Sequence, residues 1–363
     1  MPRVFHKRMS RGWGFTLIEL LVAALMASIF LLATGSIVIE TMRVDREETG
    51  RTQVQAELTQ ALEYIQQDLA EALYIYNDAE QPNGDGIPDL IQRLYEPGWI
   101  RRPAGSIPVV AFWRLRPIPQ RCYAGNPTLQ EIREGRVTLR EERPPRIHEE
   151  DWENIRSRRN VYSLVVYYLQ RNYNNAGNLA DGSTIPWEGN ARIARFELQP
   201  FNEDCTERSE FFAKDPDPFQ AGFLAWPREP DRQTPIATRR DGPRLTTLVS
   251  NIFSSRNNRP QVAPDCPPGY AFGGGRPEGV IFGGLETNQN DLGFYVCVRR
   301  EAAANLPQDV LINITATAME RSNPGLFRRY ISGDTDIDDE QVSRYLTTMQ
   351  TRVLSRGAVN RRA

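Results

Sequence analysis

A run of about two dozen mostly apolar residues near the N-terminus, residues 15–39, constrains this chain of 363 residues more than any other feature. A membrane-spanning helix needs about 20 such residues, so the run is long enough to cross a bilayer. One carboxylate, that of Glu19, lies inside the run. Because a charged side chain at the bilayer centre costs roughly 2.5–3.5 kcal/mol on insertion scales, we expect Glu19 to have a partner.

Four basic residues and no acidic residue precede the run: Arg3, Lys7, Arg8 and Arg11. The positive-inside rule therefore predicts a cytoplasmic N-terminus, a single pass through the inner (plasma) membrane, and the bulk of the chain outside. Two simpler interpretations stay open. An ordinary secretory signal has an apolar core of only about 7–15 residues, with cleavage after small residues such as those at 27–28 or 33–35. A plain membrane anchor leaves Glu19 without a role.

Helical spacing resumes beyond the apolar run. Apolar residues recur at steps of three and four, the pattern of one buried helix face: Val54, Leu58, Ala61, Leu62, Ile65, Leu69, Ala72, Leu73 and Tyr76. A helix over residues 15–76 would be about 93 Å long. We therefore predict a transmembrane half, residues 15–39, and an amphipathic half, residues 40–76, that lies on a globular head. Gly35 and Gly50 are the positions where this helix could bend.

Residues 77–363 are predicted to form an extracytoplasmic, β-rich head. Strand-like runs lie at residues 107–116, 161–170, 193–198, 293–298 and 310–318. Their partial alternation favours an antiparallel sheet with one solvated face. A long helix against such a sheet gives an α+β fold with the shape of a lollipop.

Long segments between these runs are rich in Pro, Gly, Asn and Arg and are predicted to be surface loops; they are residues 117–160, 202–243 and 257–285. Near the C-terminus, residues 338–352 indicate a short helix, and residues 352–356 a possible edge strand. An acidic segment at residues 333–340 is interpreted as a solvated loop that caps this helix.

The composition limits the chemistry of the head. Histidine occurs only as His6 and His148, so the mature chain keeps only His148. A multi-histidine zinc site is therefore excluded, and histidine-dependent catalysis would have to use His148. His148 lies in a charged segment typical of an exposed loop. Removing the four leader charges changes the formal net charge from −2 to −6, which gives no indication of nucleic-acid binding. We expect no enzymatic activity.

The four cysteines are far apart in sequence, which disfavours a zinc ribbon and favours disulfides outside the cytoplasm. Cys297 lies in an apolar strand, and Cys266 begins the Gly-rich segment that returns to it. We therefore predict a Cys266–Cys297 disulfide and, by elimination, Cys122–Cys205.

A turn at residues 83–89 carries Asn83, Asp85 and Asp89, with glycines between them. Oxygen ligands at alternate positions, with glycine permitting a tight turn, are typical of calcium loops. Gln81 occupies the place of the first carboxylate, so a plain turn is the alternative, and no other cofactor is expected.

The stretch from Gly14 through Phe15 and Glu19 to Ala23, behind a short basic leader, resembles the class III signal of type IV pilins and type II secretion pseudopilins. This resemblance implies that a prepilin peptidase removes residues 1–14, cutting between Gly14 and Phe15, and that Phe15 is N-methylated. It also implies other pilins or pseudopilins and an inner-membrane assembly platform as partners. We expect Glu19 to neutralise the amine of Phe15 in a neighbouring subunit of a pilus-like filament.

Residues 61–76 resemble the helix end of the hormogonium polysaccharide secretion pseudopilins of filamentous cyanobacteria. That likeness implies a minor pseudopilin that supports polysaccharide export and gliding motility, with polysaccharide as a possible cargo. One alternative is a minor type IV pilin used for adhesion, twitching or DNA uptake. Another is a pilin-anchored glycan hydrolase, in which a pair of carboxylates would carry the chemistry.

Overall fold

The computed structural model describes most of the long helix and the sheet. The described residues are 16–76, 106–125, 127–144, 149–172, 187–199, 201, 204–205, 245–254, 266–273, 281–282, 285–286, 293–299, 307–332, 334 and 336–357. Several residues singled out by the sequence lie outside them: Gly14, Phe15, Asn83, Asp85, Asp89 and His148.

The first helix, α1, runs without interruption from Leu17 to Ala70, about 81 Å at 1.5 Å per residue. It passes through both Gly35 and Gly50, so neither glycine interrupts the helix. The predicted end at residue 76 is wrong, because residues 72–75 form the first strand and pair with the second. A short run of apolar residues is compatible with either a buried helix end or a fully buried strand. Pairing with β2 makes residues 72–75 a strand.

The described residues contain eleven strands: β1 Ala72–Ile75, β2 Ser106–Pro117, β3 Asn160–Arg171, β4 Ala191–Leu198, β5 Thr246–Ile252, β6 Tyr270–Phe272, β7 Ile281–Phe282, β8 Leu285–Glu286, β9 Phe294–Arg299, β10 Asp309–Thr317 and β11 Leu346–Leu354. Five shorter α-helices are interspersed: α2 Leu129–Arg133, α3 Glu149–Arg158, α4 Met319–Ser322, α5 Pro324–Ser332 and α6 Asp339–Ser343.

Nine strands form one antiparallel sheet in the order β1-β2-β3-β4-β5-β10-β9-β6, with β11 on the other side of β10. β7 and β8 pair separately. The sheet is curled, so that strand β1 at one edge lies close to the ends of β10 and β11. There the Gly357 N–H donates to the Ala72 carbonyl at 3.2 Å. The Gln308 side chain binds both the N–H and the C=O of Ile75, at 2.6 and 2.7 Å.

The upper half of α1 packs inside this curl, against β5, β10, β11 and α4. The predicted stripe is buried at Val54, Leu58, Ala61, Ile65 and Leu69. These side chains share one core with the inner face of the sheet. A long apolar helix followed by an antiparallel sheet confirms the α+β fold.

Five predicted strands are confirmed as β2, β3, β4, β9 and β10. The expectation of one solvated sheet face is wrong for β3, which is buried on both faces. A second apolar cluster on its other face includes Trp113, Leu164 and Tyr168, so the polar side chains of β3 are not at a water surface.

Two other sequence predictions need correction. The helix predicted over residues 338–352 is limited to α6, because residues 346–354 pair with β10 along their whole length as β11. The segment 117–160, predicted to be loop, contains α2 and α3. Trp152 and Ile155 of α3 are buried in a small apolar cluster beside the sheet, and this burial stabilises a helix with little apolar periodicity.

Candidate functional site

The N-terminal half of α1 projects from the head, and none of the described residues outside the helix packs against it. Its most apolar stretch is 0% buried, and Leu17 and Phe30 are 83% and 68% exposed. Exposing apolar surface to water is unfavourable by about 25 cal/mol per Å². This helix is long and apolar enough to span a membrane. It is therefore the candidate functional segment of the chain.

Glu19 lies in the first turn of this segment. Its carboxylate accepts from the Thr16 N–H and hydroxyl, each at 3.3 Å, while Thr16 Oγ1 accepts from the Glu19 N–H at 3.3 Å. This reciprocal capping box places a negative charge at the positive end of the helix dipole. Glu19 remains exposed, so its carboxylate can still accept a cation from another molecule.

The hydroxyl groups of this segment are satisfied within the helix. Ser28, Thr34, Ser36 and Thr41 each donate to a carbonyl about one turn earlier, at 2.8 Å. Such bonds let a hydroxyl enter an apolar medium without an unpaired donor. Glu19 is the only ionisable residue among residues 17–39. It is therefore the group of this segment that most needs a partner from another molecule.

The head holds α1 tightly near the point where the helix emerges. Gly50 is buried against α4, and a Cβ at this position would lie 2.7 Å from Ser322 Oγ. Arg321 of α4 donates to Glu57 of α1 at 2.9 Å and to Glu188 at 3.0 Å. The sequence predicts Gly50 to be a position where the helix could bend. In the structure, Gly50 instead lets α1 and α4 approach each other closely.

A buried charged network holds α1 at its other end. Asp68 of α1 binds the guanidinium of Arg114 from β2. Its second oxygen accepts from Tyr167 Oη and from Arg195 Nε, both at 2.7 Å. The ionic side chains are only 6–8% exposed. Three adjacent strands thus converge on one carboxylate of the helix.

Glu197 of β4 continues this network. It accepts from Arg116 at 2.7 Å through both oxygens and from Ser163 at 2.8 Å. Burial alone would raise the pKa of Glu197, but the hydrogen bond from Arg116 and the charges of Arg195 and Arg114 hold this pKa well below its usual value. Asp68 and Glu197 are both enclosed and paired with arginines, so they connect the helix to the sheet.

Both predicted disulfides are confirmed. Cys122–Cys205 joins residues 83 apart and lies in the cluster with Trp152 and Phe201. Cys266–Cys297 joins the approach to β6 with β9. The first crosslink therefore joins the insertion after β2 to the one after β4, and the second joins an insertion to the sheet.

Acidic side chains near the C-terminus have structural partners. Asp338 caps α6 by accepting from the Gln341 N–H at 2.7 Å, as predicted, and Asp334 accepts from the Asp336 N–H at 3.0 Å. Within the described ranges, no group of three or more His, Cys, Asp or Glu side chains could hold a metal ion. The predicted calcium loop lies outside them and stays a prediction.

No family model, curated protein or solved structure matches this chain. The resemblance of residues 14–23 to a pilin signal therefore remains an interpretation of the sequence. Sequence reasoning missed the Asp68 network, although Asp68 is an acidic residue beside Leu69 on the buried stripe. Such a position is a usable signal, because a carboxylate on a core face requires cationic partners.

Proposed function

We propose that this chain is a minor pseudopilin, a non-catalytic structural subunit of a type IV pilus-like or type II secretion-like machine. The proposal rests on one observation above all. A single helix has Glu19 at the start of an exposed apolar half, and its other half is enclosed by the head. Such a subunit stays in the membrane until its helix packs against those of neighbouring subunits.

In this proposal the prepilin peptidase removes residues 1–14 and methylates Phe15. The Glu19 carboxylate then neutralises the amine of Phe15 in a neighbouring subunit as the helix enters the filament. An ion pair between helices compensates a charge that would be costly alone in lipid. The head contributes protein contacts, and the machine supports polysaccharide secretion and gliding motility.

Glu19→Ala tests the assembly role. We expect cleavage after Gly14 to remain and incorporation into sheared filaments to be lost. Glu40→Ala is the matched control, because Glu40 is exposed on the same helix just beyond the apolar run. Mass spectrometry of the N-terminus reports cleavage, and immunoblotting of the filament fraction reports incorporation. Normal incorporation of Glu19→Ala would refute the pairing.

Deletion of the gene tests the wider role. Surface polysaccharide and motility should be lost while intracellular polysaccharide synthesis continues. A head lacking residues 15–39 should not restore export, because it has no helix to enter the filament. If synthesis itself fell on deletion, a membrane-tethered enzyme would become the better account.

A further inference from the structure

The apolar half of α1 contains a stretch without ionisable side chains that lies between two carboxylates. This stretch is residues 20–39, and Glu19 and Glu40 flank it. At 1.5 Å per residue it is about 30 Å long, which is the thickness of the hydrocarbon core of a bilayer. When the helix spans a membrane, the edge of the hydrocarbon on the side of the head therefore lies near Ile39.

The head begins a short distance beyond this edge. Ser322 Oγ of α4 donates to the Glu47 carbonyl at 3.5 Å, and Gly50 is buried against the same short helix. Eight residues of continuous helix, about 12 Å, separate Ile39 from Glu47. The polar headgroup region is about 5–7 Å thick on each side of a bilayer. A layer of lipid headgroups with some water therefore fits beneath α4.

Two arginines of α1, Arg43 and Arg46, lie at the level of this layer. They are about 6 Å and 10 Å beyond Ile39 along the helix axis. They precede Gly50 by seven and four residues, so they lie on the face of the helix that α4 covers one or two turns later. Side chains on a helix lean toward its N-terminus, which is the direction of the membrane here. Both guanidinium groups can therefore reach the headgroups.

Arg43 and Arg46 are exposed, and within the described part of the chain neither forms an ion pair. Arginines of α5, of the segment after α6 and of α1 just above this level have acidic partners: Arg329–Asp334, Arg344–Glu340 and Arg51–Glu47. The charges of Arg43 and Arg46 are thus available to a ligand from outside the chain.

The acidic residues of this segment do not neutralise the two arginines. Asp45 and Glu48 lie one or two residues from an arginine, a spacing at which helical side chains do not face each other. Glu40 is one turn before Arg43, but the two form no ion pair in the structure. A bound anion would therefore lie on one side of α1, beneath α4.

Phosphate is the anionic group that a bilayer presents at this depth. Guanidinium groups donate paired hydrogen bonds to phosphate, and basic side chains just outside a membrane-spanning helix attract anionic lipids. We propose that Arg43 and Arg46 bind phospholipid phosphate groups in the leaflet on the side of the head. The contact rests on the membrane anchoring in the proposed function but does not require a filament. In the proposed pathway only the membrane-resident subunit makes it, because the helix leaves the leaflet on assembly.

Native mass spectrometry of the full chain in detergent tests the contact. The probe is dioleoylphosphatidylglycerol, and the control lipid is dioleoylglycerol, which has the same acyl chains without a phosphate. We expect Arg43→Gln and Arg46→Gln each to weaken binding of the phospholipid by roughly fivefold. Neither change should alter binding of dioleoylglycerol, and both variants should keep the melting temperature of the original chain because the side chains are exposed.

Arg51→Gln is the matched control. It removes the same charge from the same helix, but Arg51 is bound by Glu47 and by the Arg344 carbonyl. We expect it to leave phospholipid binding within about twofold of the original chain. Arg43→Lys should retain most of the binding, because lysine keeps the positive charge.

Four results would overturn the lipid contact. These are unchanged phospholipid binding when both arginines are replaced, an equal loss in Arg51→Gln, an equal loss of dioleoylglycerol, and displacement of the lipid by inorganic phosphate but not by chloride at the same ionic strength. The last result would indicate a site for free phosphate. Normal filament incorporation of Glu19→Ala with arginine-dependent lipid binding intact would refute the pseudopilin role and leave the lipid contact standing. Loss of incorporation in Glu19→Ala with arginine-independent lipid binding would do the reverse.

Discussion

Tyr167 Oη lies 2.7 Å from Asp68 Oδ2 in the interior of the head. This contact joins the third strand to the helix that carries the membrane segment, and Arg114 and Arg195 bind the same carboxylate from the strands on either side. Enclosing several ions is expensive unless their geometry is well satisfied. The network therefore favours one crossing position of α1 on the sheet.

Asp68→Asn should lower the free energy of unfolding by about 3–5 kcal/mol, because Arg114 and Arg195 would lose a buried counter-charge. Glu63→Gln, on the exposed side of the same helix, should change it by less than about 0.5 kcal/mol. Urea unfolding of the full chain in detergent measures both values. Equal effects of the two variants would contradict the structural role of Asp68.

Acid should weaken the head through Glu197. Its pKa lies well below the usual value of about 4.3, so the unfolded chain binds a proton more readily than the folded one. Its contribution to stability is therefore complete above about pH 5 and is lost progressively as the pH falls below about 4. Unfolding free energies at pH 7, 4 and 3 measure this loss.

Glu197→Gln is the comparison that isolates this group. The variant should be less stable at pH 7 and should lose less stability on acidification. The pKa of Glu188, bound by Arg321, and of Asp309, bound by Arg352, is also lowered, so both chains retain some acid sensitivity. Identical pH dependence in the two chains would show that Glu197 is not the group responsible.

Gly50→Leu should destabilise the head by about 1–3 kcal/mol, because the new side chain would separate α1 from α4. Gly50→Ala should have a smaller effect, since its Cβ meets the end of the Ser322 side chain, which can turn. Gly35→Leu is the control, because nothing lies within 4 Å of a Cβ there. Thermal unfolding of the three variants should show a lower melting temperature most clearly for Gly50→Leu.

Gln308→Leu should release β1 from the end of β10. The change leaves the N–H and C=O of Ile75 without their partner, at about 1–3 kcal/mol for each buried group. Gln67→Leu, on the exposed side of α1, should be nearly neutral. Hydrogen exchange at the Ile75 amide should accelerate only in Gln308→Leu. An unchanged exchange rate would mean that another group protects this amide.

Much of the fold could be predicted because local patterns specify it. The apolar run with its single carboxylate predicted the projecting helix, and the stripe from Val54 to Leu69 predicted the face that the head covers. The β-branched and aromatic residues of 161–170 and the alternation in residues 312–317 predicted two of the strands. The placement of Cys266 and Cys297 around a Gly-rich excursion predicted their pairing.

Other features could not be predicted, because they depend on contacts between residues distant in sequence. Residues 72–76 continue the helical spacing, yet pairing with β2 converts residues 72–75 to a strand. Residues 346–354 have little apolar alternation, yet β10 pairs with all of them. Gly50 has low helix propensity, yet the close approach of α4 makes the absence of a side chain an advantage.

The sequence by itself determined that the chain has a long apolar helix, an amphipathic continuation and a β-rich, disulfide-bonded head, since periodicity and composition are local properties. Only the tertiary structure decided which charges meet. Asp68, Arg114, Arg195 and Glu197 are spread over 130 residues, and they converge because strand register and the curl of the sheet bring β2 and β4 to the same turn of α1. The tertiary structure likewise decided that β11 lies at an edge, because that depends on which strands pair.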